Sequence, residues 1–177
     1  FSYILVVSFT VARLEDDAGW TSGRAALAFT TIGFAVIAGG LIVGSISDRI
    51  GRRLTMTIAF VSWAVASIGI LTGSLPVVLV STVLVGIMFS GIPATIIAHV
   101  VAHADERSFG PVFSATTLAF GIAQAVSPQI GGALADWRGS FTLAFWLAAA
   151  VALVGAMTAW SLPEDDIEVR VDTPADA

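Results

Sequence analysis

Five stretches of this chain run for about the length that crosses a bilayer without a single Asp, Glu, Lys or Arg: Ala25 to Ile46, Leu54 to Leu71, Pro76 to Val101, Pro111 to Leu134 and Phe141 to Leu162. The hydrocarbon core is about 30 Å thick and takes roughly 20 apolar helical residues to cross. Backbone polar groups cannot go unpaired there, so a spanning segment is a helix or a strand of a closed barrel. Runs of this length predict spanning helices and hence an all-α membrane protein. Composition agrees: 56% of the 177 residues are hydrophobic and 12% charged, where a soluble domain carries about 25% charge. A sixth run, Phe1 to Ala12, is too short to span. It has no initiating Met, basic leader or cleavage site, so it reads as the rest of a truncated helix and the chain as a fragment.

Residues 1–162 form the expected membrane unit. Beyond it Glu164, Asp165, Asp166, Glu168, Asp172 and Asp176 crowd into residues 163–177, which read as a solvated, disordered acidic tail. That tail accounts for much of the net charge of −5. Cysteine is absent, and His99 and His103 are too few for a His-rich metal site, so no metal or other cofactor is expected. Nor is an enzyme: an intramembrane one would need a nucleophile with its base or a metal cluster, and only isolated serines and two histidines are present. With eight arginines, no lysine and no basic face, a nucleic-acid partner is not expected either; the lipid bilayer is.

The arginines set an orientation. If the spans alternate, Arg49, Arg52, Arg53, Arg107 and Arg170 share one side, and Arg13, Arg24 and Arg138 the other. Positive charge is retained inside, so the first side is expected to be cytoplasmic and the C-terminus with it, in a bacterial cytoplasmic membrane. Three of these arginines fall in the turn GSISDRIGRR, Gly44 to Arg53. The turn has an echo 88 residues later, where Gly132, Leu134, Ala135, Asp136 and Gly139 match Gly44, Ile46, Ser47, Asp48 and Gly51. Each copy ends the second helix of a three-helix unit. Units of three helices face opposite sides of the membrane, which predicts a 3+3 inverted repeat.

GSISDRIGRRL resembles the loop signature G-x-x-x-D-R-x-G-R-R of the major facilitator superfamily, matched by Gly44, Asp48, Arg49, Gly51, Arg52 and Arg53. DERSFGPVF, SPQIGGALADWRGSF and the acidic end resemble helices ten to twelve of that family. The chain is thus similar to the six-helix C-terminal half, from a truncated helix seven to helix twelve, and TLAFGIAQAVSPQIGGALADWRGSFTLAF resembles an uncharacterised YbfB-like bacterial branch. The resemblance implies a secondary active transporter working by alternating access on a small organic solute, with protons as a candidate coupling ion and a missing N-terminal half as partner. A non-transporting membrane scaffold with the same fold is the alternative.

In the signature, Gly44 lies one turn before Asp48 and permits close approach of another helix, whose N-terminal N–H groups would attract the Asp48 carboxylate. The resemblance implies that this contact switches conformation. Gly40, Pro93, Pro128, Gly131 and Gly132 are expected to pack or bend helices; SPQIGG partly resembles an antiporter element, with Ser127 in place of its first glycine. No acid or base lies inside a span, so a coupling carboxylate is expected in the missing half. The sparse polar residues at depth are Thr95, His99, Thr117 and Gln124. The family's use of helices seven, eight, ten and eleven adds Tyr3, Thr30 and Thr31 as cavity candidates, and leaves helices nine and twelve to lipid. Buried Thr commonly bonds its own helix and Gln a neighbouring one, so each candidate also has a packing explanation.

Overall fold

The computed structural model describes residues 1–103 and 106–163. Residues 164–177 of the expected tail, with Arg170, lie outside the described residues, as do the side chains of His103 and Arg107. Six helices follow in order: α1 (Ser2–Ala12), which runs on as a π-helical turn (Arg13–Asp17), α2 (Ser22–Ile50), α3 (Arg52–Leu71), α4 (Leu75–His103), α5 (Glu106–Arg138) and α6 (Thr142–Trp160). Helices α2 to α6 are long and apolar enough to span a membrane. Each extends past or close to the limits of its charge-free run, because charged residues such as Asp48 and Arg138 continue a helix into the interface without entering the hydrocarbon.

The repeat has a backbone signature. Gly51 follows α2 with φ +85° and Gly139 follows α5 with φ +63°, at matching positions of the two units. An L side chain is strained there, so glycine ends the second helix of each unit. Alternation of the helices is visible in their ends. Arg13 Nη2 donates to Leu71 O at 2.9 Å, Trp20 Nε1 to Gly73 O at 3.1 Å, and Ser140 Oγ to Asp17 Oδ2 at 2.9 Å. These turns share one side, here called outer. On the opposite, inner side the Arg53 guanidinium lies 4.6 Å over the Trp160 ring.

Helices in lipid gain little from burying apolar surface and associate through close packing and interhelical hydrogen bonds. The α2–α4 seam does both. A Cβ on Gly39 would overlap the backbone of Ile87, and one on Gly86 the backbone of Ile32. Ser90 Oγ donates to Val36 O at 2.9 Å, and Thr31 and Thr82 hydroxyls bond at 2.6 Å. On α6, Ala144, Ala148, Ala152, Ala156 and Ala159 are buried at three- and four-residue spacing, and the helix packs chiefly on α3 and also on α1. Helix α5 differs. Residues 109–122 are all exposed, and the helix is held near its outer end, where Ser127 Oγ donates to Phe1 O at 2.8 Å and Gly131 packs on Leu5 and Phe9.

Candidate functional site

The turn at 44–53 is built by the end of α2. Gly51 N–H donates to Ser47 O at 2.9 Å, and Thr55 Oγ1 donates to Gly51 O at 2.8 Å, closing the corner from both helices. Arg53 is held over Trp160, a contact worth about 0.5 to 1 kcal/mol at exposed sites. Arg52 and Arg53 are half-buried, whereas Asp48 and Arg49 are exposed. The Asp48 carboxylate therefore stands at the inner end of α2 on a surface that the described residues leave uncovered.

That surface continues along the helix. Gly33, Ile37, Gly40, Gly44 and Asp48 follow one another at three- and four-residue steps and share a face. A Cβ on Gly33, Gly40 or Gly44 would meet nothing within 4 Å. Ile37 and Leu41 are 77% and 78% exposed, so the face is apolar and open. Helix α5 repeats the arrangement: Gly121 and Gly132, which match Gly33 and Gly44 across the repeat, also have open space at Cβ. Gly110, Ser114, Thr117, Gly121 and Ala125 form its own stripe of small side chains, all exposed. Equivalent helices of the two units thus present equivalent unpartnered faces.

The expected packing glycines divide between these environments. Gly131 meets α1, while Gly132 and Gly40 are open; the tight approach expected of Gly40 falls on its neighbour Gly39. One residue on a helix is a rotation of about 100°, enough to exchange seam for surface. Pro93 and Pro128 lie inside continuous helices.

A cavity of about 380 Å³ lies among α1, α3, α4, α5 and α6. It collects Tyr3, Thr117 and Pro93 from the candidates and adds Trp63, Phe89 and Phe120. The Tyr3 ring is stacked on Phe120 with centroids 5.4 Å apart, edge-on to Phe89 at 4.8 Å and to Trp63 at 6.4 Å. Helices α3 and α6, which the resemblance leaves to lipid, supply two of the walls. The signal was in Trp63, a bulky aromatic amid small residues. Among the described residues its buried indole Nε1 has no hydrogen-bond acceptor.

The remaining candidates are elsewhere. Thr30 is exposed and donates to Ala26 O at 2.8 Å; Thr31 is in the α2–α4 seam; Thr95 is buried and donates to Gly91 O at 3.0 Å. His99 is half-buried near the inner end of α4. Gln124 is half-buried on α5, outside the lining of the cavity. Thr117 donates to Phe113 O at 2.9 Å.

Five helices with membrane-length apolar spans, a Gly–Asp–Arg corner and two matched open faces among the described residues define an integral membrane protein of the helical-bundle class. Residues 1–177 match the family model of the Major Facilitator Superfamily, and the chain belongs to that family. It is similar to Organic anion transporter 3 of Homo sapiens, 26% identical over 133 residues, covering 73% of this chain and 23% of that protein. It is also similar to the Uncharacterized MFS-type transporter YfiU of Bacillus subtilis, 28% over 114 residues, covering 64% and 22%. Myo-inositol transporter 3C of Cryptococcus neoformans is 28% identical over 136 residues, covering 76% and 23%. The chain spans about a quarter of the length of these curated relatives.

Proposed function

We propose that the chain is the C-terminal half of a secondary active transporter that carries a small organic solute by alternating access. The observation that carries this reading is the pair of equivalent unpartnered faces on α2 and α5. A bundle whose second helices both keep small residues open along a membrane-length face is suited to packing against another bundle. The missing N-terminal half is the proposed partner, and the solute path runs between the halves. The relatives' names, an organic anion transporter and an inositol transporter, support a small organic solute.

Asp48 acts as the inner latch. Its carboxylate meets the N-terminus of a helix from the other half in one state and releases it in the other, a contact worth about 0.3 to 1 kcal/mol, or up to about 2 when partly buried. The spans of this half bring no acid to the path, so a proton-coupling carboxylate belongs to the other half. The arginine-rich corner faces the cytoplasm.

Liposome flux tests the reading. Residues 1–177 alone should give no saturable uptake of a labelled organic anion or of myo-inositol, and co-reconstitution with the preceding half should restore uptake of its solute. Saturable flux by the chain alone, equal to that of the longer polypeptide, overturns it. A scaffold with the same fold would give no flux in either form.

A further inference from the structure

The repeat that relates α2 to α5 is carried by exposure as well as by sequence. Along the open face of α2, Gly33, Ile37, Leu41 and Asp48 are exposed and Gly44 is half-buried. On α5, at the positions 88 residues further on, Gly121, Ala125, Gln129 and Asp136 are exposed and Gly132 is half-buried. The buried edge matches too: Val43 and Ser47 on α2 are answered by Gly131 and Ala135 on α5. Ile37 and Leu41 have unlike counterparts in Ala125 and Gln129, so the shared pattern reflects equal placement of the two helices, not equal side chains. Three identities persist on the open face: Gly33 with Gly121, Gly44 with Gly132, and Asp48 with Asp136.

We propose that Asp136 is an outer latch, the counterpart of Asp48: when the outer side closes, its carboxylate docks on the N-terminus of a helix from the other half. The proposal rests on reading the chain as half of a transporter.

Local structure gives Asp136 no task of its own. It lies in the last turn of α5, where the negative end of the helix dipole disfavours an acid, and Asp48 is placed in the same way at the end of α2. The next helix start is already served, because the Phe141 backbone N–H donates to Asp17 Oδ2 at 2.8 Å. The nearest cation in sequence is also engaged: the Arg138 guanidinium lies 4.5 Å over the Trp137 ring.

Gly132 indicates which donor fits. It lies one turn before Asp136 and has open space at Cβ, so the backbone of another helix can come close on that face. An aspartate side chain is short, and close approach brings the free N–H groups of a helix N-terminus within its reach. A long arginine or lysine would need no such clearance. Covering the carboxylate without a donor is costly, so closure requires a surface that supplies one. Asp48 and Asp136 stand at opposite ends of the bundle, so closing one side engages one latch and withdraws the other.

The test uses the full-length protein in a background without other cysteines. Leu41→Cys and Gln129→Cys, at matched positions of the two faces, report the inner and outer openings. Each is read by its rate with a membrane-impermeant maleimide, in inside-out and right-side-out vesicles respectively. Asp136→Asn should raise the outer-to-inner ratio of rates by about threefold or more, and Asp48→Asn should lower it by a similar factor. Combining the two should return the ratio near the parent value. Gly132→Leu enters open space within this half and should shift the ratio as Asp136→Asn does, by holding the other helix away. Asp136→Glu, too long for the close approach, should shift it in the same direction. Transport with a ratio unchanged by Asp136→Asn would overturn the latch alone. A parent ratio kept by Asp136→Glu would overturn the helix terminus as the occupant, in favour of a cationic side chain. A parent protein without saturable flux would sink the transporter reading, and the latch with it.

Discussion

The Asp17 carboxylate sits at the N-terminus of α6, where its Oδ2 accepts the backbone N–H of Phe141 at 2.8 Å across 124 residues of sequence. The same oxygen accepts the Ser140 hydroxyl at 2.9 Å and lies 3.5 Å from Arg13 Nε. The π-helical turn makes this possible. Ala18 N–H reaches back five residues to Arg13 O at 3.2 Å, and the added residue in the turn accompanies the placement of Asp17 beneath the α5–α6 corner. One carboxylate therefore ties the end of α1 to the start of α6, and Arg13 extends the tie to Leu71 O at the α3–α4 turn.

Asp17→Ala should destabilise the bundle by about 1.5 to 3 kcal/mol, the range for hydrogen bonds to a charged group. It also leaves the largely buried Arg13 without its counter-charge. Asp17→Asn, which keeps an acceptor and loses the charge, should cost about half as much. Unfolding in mixed micelles would measure both, and an Ala variant as stable as the parent would show that the corner is held by other contacts.

Gly39 and Gly40 are adjacent and should respond in opposite ways. Gly39→Val forces side-chain atoms onto the Ile87 backbone and should cost at least the roughly 1 to 3 kcal/mol of an overpacked core. Gly40→Ala enters open space and should leave stability unchanged or raise it by up to about 1 kcal/mol through helix propensity. Thermal unfolding of the two variants of residues 1–177 reads the difference. Equal losses would mean that the α2–α4 seam is rotated from its described position.

Asp48→Asn in the full-length protein should leave expression and insertion near normal, because Asp48 is exposed here. It should shift the balance of inward- and outward-facing states by up to the roughly 2 kcal/mol available to a carboxylate at a helix N-terminus. Cysteine accessibility from the two faces would follow the shift. Unchanged accessibility with normal transport would leave Asp48 as an orientation signal only.

Gln124 tests the solute path between the halves. It is half-buried on the helix that packs least within this chain. As a direct solute contact, its replacement in Gln124→Leu should weaken apparent affinity by about one to two orders of magnitude, equivalent to roughly 1 to 3 kcal/mol. Thr158→Val, exposed on α6 with its hydroxyl bonded to Gly155 O at 2.8 Å, is the control and should change little. An unaltered affinity in the Leu variant would assign Gln124 to packing.

The order of helices was legible because hydrocarbon imposes a one-dimensional rule: a run of apolar residues without charge must span as a helix, wherever its neighbours lie. The corners were legible for an equally local reason. Gly51 and Gly139 adopt positive φ, which glycine tolerates without strain, and their matching surroundings betray the repeat. What the one-dimensional pattern could not supply was which side of each helix meets which neighbour. Gly39 and Gly40 are chemically identical, and the rotation of α2 against α4 alone decides that one is a contact and the other open. Asp17 caps the backbone of Phe141, 124 residues away in sequence, a pairing that no local pattern encodes. Trp63 lies inside an apolar run, and the convergence of five helices makes it the wall of a cavity, with an indole N–H that finds no acceptor among the described residues. Sequence alone therefore determined the spans, their turns and the family resemblance, through local chemistry and the thickness of the membrane. Tertiary structure decided contact, exposure and cavity, because these depend on helix rotation and separation, which small residues and single hydrogen bonds set across long stretches of chain.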